Sequence, residues 1–279
     1  METTSTNTVA ASEARRGAEE GLVVVADYQS AGRGRFDRRW VAPAGTALLF
    51  SVLLRPALAG PGALAPERGH LVVAAVSLAV ADAAQEVAGA RLALKWPNDL
   101  LGPDGRKVAG VLAEVAAEPR GTGRVAKGGG AIVVGVGLNV SWAPEGATSL
   151  EALAGRAVDR DALLSAALEA LARLYGHWED VARRYRAALA TLGREVVVRL
   201  AVEGHEPGGG RAGRGAGAHA APAEAVELRG TALDVRPDGR LLLSTADGVV
   251  EVAAGDVEHA SLADVGPRAG PGDPGAGPR

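Results

Sequence analysis

The sequence predicts an α+β protein in two parts: a mixed-sheet domain over residues 1–191 and a small β domain over residues 192–262. Two observations predict this division. Up to Gly193, apolar runs of strand length are separated by longer segments whose apolar residues have helical spacing. After that glycine, short apolar runs alternate with tight-turn sequences such as Pro237-Asp238-Gly239. We therefore expect a mixed domain followed by an all-β unit.

The first domain is predicted to begin with a short helix, because Ser5-Thr6-Asn7 offers good helix caps and Arg15-Arg16-Gly17 suits a helix end. Its other predicted elements are strands at 22–26, 46–54, 91–95, 107–115 and 131–140, a mostly buried helix within 64–88, and one or two helices over 161–190. The strands of the second domain are predicted at 195–202, 226–235, 240–245 and 249–253.

Three segments of low complexity are predicted to lack regular structure. Residues 204–223 are rich in glycine, alanine and proline, which predicts a disordered insert within the β domain. Residues 263–279 have a similar composition and predict a disordered tail. The glycine-rich stretch 121–130 predicts a flexible turn.

The composition narrows the possible functions. A net charge of −3 argues against a dedicated nucleic-acid surface, so no DNA binding is expected. The chain has no cysteine, which excludes disulfides, thiolate metal sites and cysteine nucleophiles. No run of 18 apolar residues is free of charge, so we expect no membrane span and a cytoplasmic protein.

The most informative segment is 28–35, Tyr-Gln-Ser-Ala-Gly-Arg-Gly-Arg, which directly follows the strand predicted at 22–26. Its glycines allow the backbone to approach a ligand closely. Its arginines are permanently charged, planar groups that suit phosphate or carboxylate. This loop is therefore a candidate clamp for an anionic ligand.

Four further polar or glycine-rich islands lie at the ends of predicted elements or inside them: Ser5-Thr6-Asn7, Lys95-Trp96-Pro97-Asn98-Asp99, Lys107-Val108-Ala109-Gly110 and Gly135-Val136-Gly137-Leu138-Asn139. Glycines inside a strand often mark a close approach of backbone or ligand. Pro97 cannot continue a strand ladder and so ends the strand before it.

Taken in order, these islands resemble the biotin–protein ligases over nearly the whole chain. The matching segments are Gln29–Arg35, Lys95–Asp99, Lys107–Glu114 and Gly135–Asn139. The resemblance implies a catalytic domain of the class II aminoacyl-tRNA synthetase-like type, with a C-terminal SH3-like β-barrel. It also implies a two-step reaction. Biotin and ATP, with Mg²⁺, give biotinyl-5'-AMP, and a lysine of the biotin carboxyl carrier domain of an acyl-CoA carboxylase then displaces AMP.

The resemblance assigns roles to the charged residues. Lys107 matches the catalytic lysine, which would bridge the biotin carboxylate and the α-phosphate. Arg33 and Arg35 would bind the phosphate and the adenylate on a loop that closes over the intermediate, and this loop is expected to be poorly ordered without ligand. Asp99 would hold Mg²⁺ through water or assist the incoming lysine, and its direct role and the metal ligands are left open. A turn residue that bonds its own backbone is the alternative for Asp99.

The remaining predicted contacts fall into two sets. For biotin, Ser5, Thr6, Asn7 and Gln29 would contact the ureido group, since hydroxyls and amides supply both donors and acceptors. Ser5 or Thr6 is also expected to cap the first helix. The other members of the biotin set are Gly32, Arg33, Gly34, Arg35, Lys107 and Gly110. The residues predicted to contact ATP or the adenylate are Arg33, Arg35, Trp40, Asn98, Lys107, Gly135, Gly137 and Asn139. Of these, Trp40 is expected to pack on the adenine. Trp96 is instead expected to lie in the core.

Two departures from the family pattern and two alternatives remain. The family has a strand before the Ser-Thr-Asn element, and this strand is predicted to be missing here, either truly or because the start was assigned too late. Phe36 and Asp37 replace basic or small residues of the loop.

Two alternative functions stay open. One is a lipoate or octanoate ligase or transferase of the same architecture, and the other is a catalytically impaired biotin-binding remnant. The sequence leaves monomer and homodimer open.

Overall fold

The computed structural model describes residues 1–36, 38–56, 60–116, 130–200 and 226–259. The predicted insert 204–223, the tail 263–279 and Asp37 lie outside the described residues, as does nearly all of 121–130. The described residues form an α+β fold, so the predicted fold class is confirmed.

The first part of the chain contains strands and helices in mixed order. Its strands are β1 Glu2–Thr3, β2 Val23–Ala26, β3 Tyr28–Gln29, β4 Ala47–Leu54, β5 Ala93–Lys95, β6 Asp99–Leu101, β7 Lys107–Ala116 and β8 Ala131–Asn139. Its helices are α1 Thr6–Arg15, α2 His70–Ala83, α3 Leu150–Ala154, α4 Arg160–Leu174 and α5 Trp178–Ala188. A 3₁₀ turn, Pro66–Arg68, precedes α2, and a π turn, Ala84–Ala88, follows it.

The main sheet has six strands in the order β2-β4-β8-β7-β6-β5, and its neighbouring strands are antiparallel. Every residue of β4 is buried, because α1 covers one face of the sheet and α2 covers the other. Phe50 accordingly packs in the large core with α2, whereas Leu53 packs against α1. Burial on both faces explains why β4 is an uninterrupted apolar run rather than an alternating one.

The segment Pro66–Ala88 is long and apolar enough to span a membrane by length and composition alone, although it contains charged residues such as Asp82 and Glu86. Its most apolar window is 67% buried inside the fold. It packs against α4 and against the main sheet, which is the environment of a core helix in a globular domain.

The second sheet has five antiparallel strands in the order β12-β11-β10-β9-β13. These strands are β9 Glu195–Leu200, β10 Val226–Val235, β11 Leu241–Thr245, β12 Gly248–Val252 and β13 Asp256–His259. The four predicted strands are therefore present, and β13 is an addition to them. Trp96 joins the two sheets: it is 2% exposed, as expected for a core residue, and its indole donates to the Gly239 carbonyl oxygen at 2.9 Å.

Two predictions about the local structure are wrong. A strand does precede Ser5, since β1 pairs in parallel with β3 through Glu2 and Tyr28. Ser5 is the N-cap of α1 but makes no capping bond with its side chain. The strand before Pro97 ends at Lys95 as predicted, and residues 96–98 then turn the chain into β6, which pairs antiparallel with β5.

Candidate active site

A cavity of about 850 Å³, counting its open mouth, lies where the start of α1 meets the middle of the main sheet. It brings together all of the sequence-predicted site residues except Gly32 and Asn139. Besides α1 and the main sheet, three segments contribute to its lining. They are the loop that precedes Trp40, the β5–β6 turn, and Asp256 at the start of β13. The cavity is therefore built from segments far apart in sequence.

One end of the cavity is a network of neutral polar groups. Gln29 Oε1 accepts from the Thr6 backbone N–H at 2.7 Å and from the Thr6 hydroxyl at 3.1 Å. Ser51 Oγ lies 2.7 Å from Thr6 Oγ1 and 2.6 Å from Asn7 Oδ1. A hydroxyl has one proton, so Ser51 donates to one of these oxygens at a time. Ser51 is fully buried within β4, and no signal in that apolar run identifies it as a site residue.

Glu114 connects this polar end to the arginines. Its Oε2 accepts from Asn7 Nδ2 at 2.7 Å and from Arg33 Nη2 at 2.8 Å. Asn7 is held against Gly135, where the Cβ of any other residue would overlap the Asn7 side chain. The glycine predicted from the sequence is therefore required for the position of Asn7. Glu114 lay at the end of a recognised motif, but its role was missed.

Lys107 enters the cavity because of a β-bulge. Two residues of β7, Lys107 and Ala109, are paired with consecutive residues of β6, which leaves Val108 as the extra residue. An extra residue reverses the alternation of side chains along a strand. Lys107 consequently lies on the same face as Gly110, where an added Cβ would come within 3.2 Å of Lys107 Nζ.

Asp99 and Lys107 form an ion pair, with Asp99 Oδ1 2.5 Å from Lys107 Nζ. Asp99 begins β6 directly opposite Gly110, so the ladder fixes its backbone. Asn98, one residue before it, donates to the Val111 carbonyl oxygen at 2.8 Å. The β5–β6 turn therefore presents a carboxylate to the lysine from a well-anchored backbone.

Residues 32–36 and 38–40, called here the arginine hairpin, fold back over the cavity. Arg33 and Arg39 form an antiparallel bridge, and the Trp40 N–H donates to the Gly32 carbonyl oxygen at 3.1 Å. Phe36 has a φ of 52° near the tip. Gly32 does not line the cavity. It lies at the base of the hairpin, where an added Cβ would be 2.5 Å from the Trp40 carbonyl oxygen, so its role is structural.

The charged groups that line the cavity are mainly cationic. They are Arg33, Arg35, Arg38, Arg39 and Lys107, against Asp99 and Asp256. Sequence reasoning missed Arg38, Arg39 and Asp256. Burial lowers the pKa of Arg35, whereas the nearby carboxylates of Asp99 and Asp256 favour its charged form. An anionic ligand would stabilise these clustered cations, so the cavity is suited to phosphate or carboxylate.

The indole of Trp40 packs against the backbone of Gly110 and Gly137. An added Cβ at Gly137 would overlap the six-membered ring, and one at Gly110 would lie 3.4 Å from it. Lys107 Nζ is 5.9 Å from the ring centroid. The indole N–H is buried and has no hydrogen-bond partner among the described residues. Trp40 is thus one wall of the cavity, and its contact with adenine stays a prediction.

Asn139 does not reach the cavity lining, contrary to the sequence prediction. It is 1% exposed, and its Nδ2 donates to the Thr148 carbonyl oxygen at 3.1 Å. Its Oδ1 is buried without a partner within the described part of the chain.

The described residues contain no group of three or more carboxylate or histidine side chains able to hold a metal ion.

Comparison with known proteins gives the family. The sequence model described as the Biotin/lipoate A/B protein ligase family matches residues 2–139. The biotin–[acetyl-CoA-carboxylase] ligase of Mycobacterium tuberculosis is 36% identical over 271 residues, which cover 92% of this chain and 86% of that protein. The bifunctional ligase/repressor BirA of Bacillus subtilis is 32% identical over 266 residues, covering 91% of this chain and 71% of that protein.

The fold has solved counterparts. The biotin protein ligase from Aquifex aeolicus, solved in complex with biotin and ATP, is 24% identical, with a TM-score of 0.66 and coverage of 93% of this chain and 97% of that one. The matched sequence model, together with the identity to the Mycobacterium tuberculosis ligase, defines the class as the biotin or lipoate protein ligases. The identity with the two curated ligases is more specific: the chain belongs to the biotin–protein ligase family.

Proposed function

We propose that this chain joins biotin to a lysine of a biotin carboxyl carrier domain in an ATP-dependent reaction that passes through biotinyl-5'-AMP. The observation that carries the proposal is the division of the cavity. One end offers neutral donors and acceptors around Thr6 and Gln29, and the other offers the guanidinium groups of the arginine hairpin and the Lys107 ammonium. This arrangement matches a ligand with a polar, uncharged head and a carboxylate that must meet a polyphosphate.

In the first step a biotin carboxylate oxygen attacks the α-phosphorus of ATP, and the bond from that phosphorus to the bridging oxygen breaks to release pyrophosphate. Both reactants are anionic, so the step needs positive charge where they meet. Lys107 and the hairpin arginines Arg33 and Arg35 are the groups that supply it. Because they are fixed before reaction, little reorganisation is required in the transition state.

In the second step the carrier lysine attacks the acyl carbonyl, an amide bond forms, and AMP leaves with the electron pair of the broken bond. The attacking amine must first lose a proton, since its ordinary pKa is about 10.4. Asp99 is the candidate acceptor, because it lines the cavity and is 19% exposed at its side chain. It also holds Lys107 in place through their ion pair.

Mg²⁺ is proposed to enter with the nucleotide. Magnesium sites on nucleotide enzymes usually combine one or two carboxylates with substrate phosphates and water. The described residues fit that pattern better than a preformed metal site, because they hold no cluster of three ligating side chains. When bound, the ion would neutralise charge on the phosphates, and Asp99 is a carboxylate of the cavity lining that could reach it through water.

The polar end of the cavity favours biotin over lipoate. A ureido group has one acceptor and two donors, which the hydroxyl and amide groups of Thr6, Asn7 and Gln29 can match. The dithiolane ring of lipoate is apolar and offers these groups no hydrogen bond beyond those that they already make within the protein. The ordered ion pair of Lys107 likewise supports an active enzyme rather than an impaired remnant.

The test is biotin- and ATP-dependent labelling of a purified carrier domain, with pyrophosphate release measured in parallel. Lys107→Ala is expected to lower pyrophosphate release by about 10²–10³-fold. Arg106→Ala is the matched control, because the neighbouring Arg106 pairs with Asp104 outside the cavity. Lipoate in place of biotin is expected to give no labelling. Labelling that survives Lys107→Ala, or a preference for lipoate, would contradict the proposal.

A further inference from the structure

Ser51 is a polar residue that lies behind the cavity and is not part of its lining. Its side chain is fully buried in β4, and the register of the main sheet sets it opposite Gly135 on β8. Within the described part of the chain, its hydroxyl bonds only to Thr6 Oγ1 at 2.7 Å and to Asn7 Oδ1 at 2.6 Å. Thr6 and Asn7 both line the cavity. The buried hydroxyl of β4 is therefore directed at two groups that face a ligand.

The partners of the two amides at this end fix which atom of each amide is the oxygen. The Gln29 side chain receives the backbone N–H of Thr6 at 2.7 Å, so the atom that it turns to Thr6 is its oxygen. Asn7 lies 2.7 Å from the Glu114 carboxylate, so the atom that it turns there is its nitrogen. The same nitrogen also donates to the Leu112 carbonyl oxygen at 3.3 Å. Both N–H groups of Asn7 are thus bound within the protein, and its oxygen faces the serine.

The hydroxyl protons at this end are fewer than the contacts between oxygens. Three such contacts lie within hydrogen-bond distance: Thr6 with Gln29 at 3.1 Å, Ser51 with Thr6 at 2.7 Å, and Ser51 with Asn7 at 2.6 Å. Only the hydroxyls of Thr6 and Ser51 carry a proton that can lie between these oxygens. Two protons serve three contacts, so one contact always lacks a proton.

This shortage decides how Thr6 meets a ligand. If the Thr6 hydroxyl donated to a ligand, the single Ser51 proton would have to serve two contacts at 2.6–2.7 Å, and one of them would set lone pairs against lone pairs. Burying acceptors without donors in this way is unfavourable. Thr6 therefore keeps its proton within the network and offers the ligand an acceptor. Without Ser51, only the longer contact with Gln29, at 3.1 Å, would oppose donation by Thr6 to the ligand.

We propose that Ser51 is a positioning residue that determines specificity, because it holds the Thr6 hydroxyl as an acceptor toward the ligand. This role rests on the proposed function and makes it more specific. The ligand must present an N–H group to this part of the cavity, as a ureido ring does. A ring oxygen in the same place would face the Thr6 oxygen with lone pairs on both sides. Ser51 acts through Thr6 and Asn7 and touches no reacting atom.

The probes for this role are biotin and its two cyclic carbamate analogues, in each of which a ring oxygen replaces one ureido N–H group. Binding to the full-length protein is measured by calorimetric titration without ATP. Each dissociation constant is divided by that for biotin in the same variant, and this ratio is the penalty of the analogue. In the wild type, at least one analogue is expected to have a penalty of about tenfold or more. In Ser51→Ala this penalty is expected to fall at least about threefold, because Thr6 can then donate to the ring oxygen.

The penalty distinguishes a specificity role from support of the fold. A serine that only supports the fold would change the binding of biotin and of its analogues alike, and the penalty would stay the same. Ser77→Ala is the matched control, since Ser77 is a buried serine of α2 outside the cavity. Ser51→Cys keeps a weaker donor and is expected to give an intermediate penalty. It also serves as the test variant if Ser51→Ala does not fold.

A double-mutant cycle identifies Thr6 as the group through which Ser51 acts. Thr6→Val removes the acceptor and is expected to lower the penalty in the wild-type background. Adding Ser51→Ala to Thr6→Val is then expected to change the penalty no further, because the two changes act on one interaction. A further fall in the double variant would overturn the role of Ser51 through Thr6.

The remaining outcomes separate this role from the ligase function. Analogues that bind the wild type as tightly as biotin, or a penalty unchanged in Ser51→Ala and Ser51→Cys, would overturn the role of Ser51 and leave the ligase function intact. A wild-type protein that does not bind biotin would overturn both. A protein that shows the Ser51-dependent penalty but labels no carrier domain would retain the role of Ser51 and contradict the ligase function.

Discussion

Gln29 caps the helix that carries Thr6: its Oε1 accepts the Thr6 backbone N–H at 2.7 Å and the Thr6 hydroxyl at 3.1 Å. The N-cap residue, Ser5, makes no such bond with its side chain. A long-range acceptor thus replaces the local cap that the sequence predicts. Because the same oxygen orients the Thr6 hydroxyl, the stability of α1 and the geometry of the polar end of the cavity depend on one side chain.

Replacing Gln29 with alanine is expected to reduce both properties. The free energy of unfolding should fall by about 1 kcal/mol, as for loss of a helix cap, and biotin should bind more weakly because the Thr6 hydroxyl loses one of its two partners. Chemical denaturation and calorimetric titration with biotin measure the two effects. Gln85→Ala, at an exposed position after α2, is the control. Gln29→Glu keeps the acceptor and should recover the stability, so a destabilised Gln29→Glu would refute this explanation.

Glu114 makes a second testable connection, because one of its oxygens holds both Asn7 and Arg33. Glu114→Gln retains an acceptor for Asn7 but loses the charge that holds Arg33. The dissociation constant for biotin is expected to rise about three- to tenfold, which corresponds to about 1 kcal/mol. Titration with biotin in the absence of ATP measures it. Glu13→Gln, which removes a carboxylate of α1 that pairs with Arg16 outside the cavity, should bind biotin as the wild type does.

The sequence predicted most of the residues that line the cavity because its motifs are local. The polar groups at 5–7, the arginines of the loop and the glycines of β8 each have a chemical signature within a few residues, and the cavity brings nearly all of them together. The alternating or continuous apolar runs likewise predicted the main strands, with errors of a residue or two at their ends.

The missed residues depend on packing between distant segments. Ser51 lies in an apolar strand, and only the pairing of β4 with β8 places it beside Asn7. Asp256 reaches the hairpin through the placement of the second sheet. The bulge at Val108 that turns Lys107 into the cavity is a matter of register, which single-sequence patterns do not specify. Asn139 was misplaced because the end of β8 lies beneath Thr148, not at the cavity.

Gly137 offers a test of the Trp40 wall. A methyl group at Gly137 would displace the indole that rests on it. Gly137→Ala is therefore expected to slow pyrophosphate release about tenfold or more, since a small displacement of a positioned group has effects of this order, while the protein stays folded. Gly130→Ala is the control, because the nearest atom to its added Cβ is 3.7 Å away. Normal pyrophosphate release by Gly137→Ala would show that the position of Trp40 does not matter for the first step.

His70 predicts how stability depends on pH. Burial, and then the positive charge of Arg68, lower the pKa of His70 to about 4, although Asp238 acts in the opposite direction. The Nδ1 atom of His70 is buried without a hydrogen-bond partner among the described residues. The ring also lies against the turn at Gly239 and 6.4 Å from the ring of Tyr185. These contacts favour the neutral imidazole in the folded state.

The sign follows from the unfolded value of about 6.5. Between pH 6.5 and pH 4 the unfolded chain binds a proton that the folded chain does not, so the free energy of unfolding falls as the pH is lowered through this window. The contribution of His70 is expected to be about 1–2 kcal/mol after allowance for solvent screening. Urea denaturation at pH 7 and pH 4.5 should show a larger difference for the wild type than for His70→Leu.

His259 shares this behaviour, because burial and the charges of Lys95 and Arg194 lower its pKa to about 4 as well. His70→Leu should therefore remove only part of the pH dependence, and adding His259→Leu should remove more. His177→Leu, at an exposed helix N-terminus, is the control and should leave the difference between pH 7 and pH 4.5 unchanged. If the wild type and the double variant lost the same free energy on acidification, the two buried imidazoles would not be the cause.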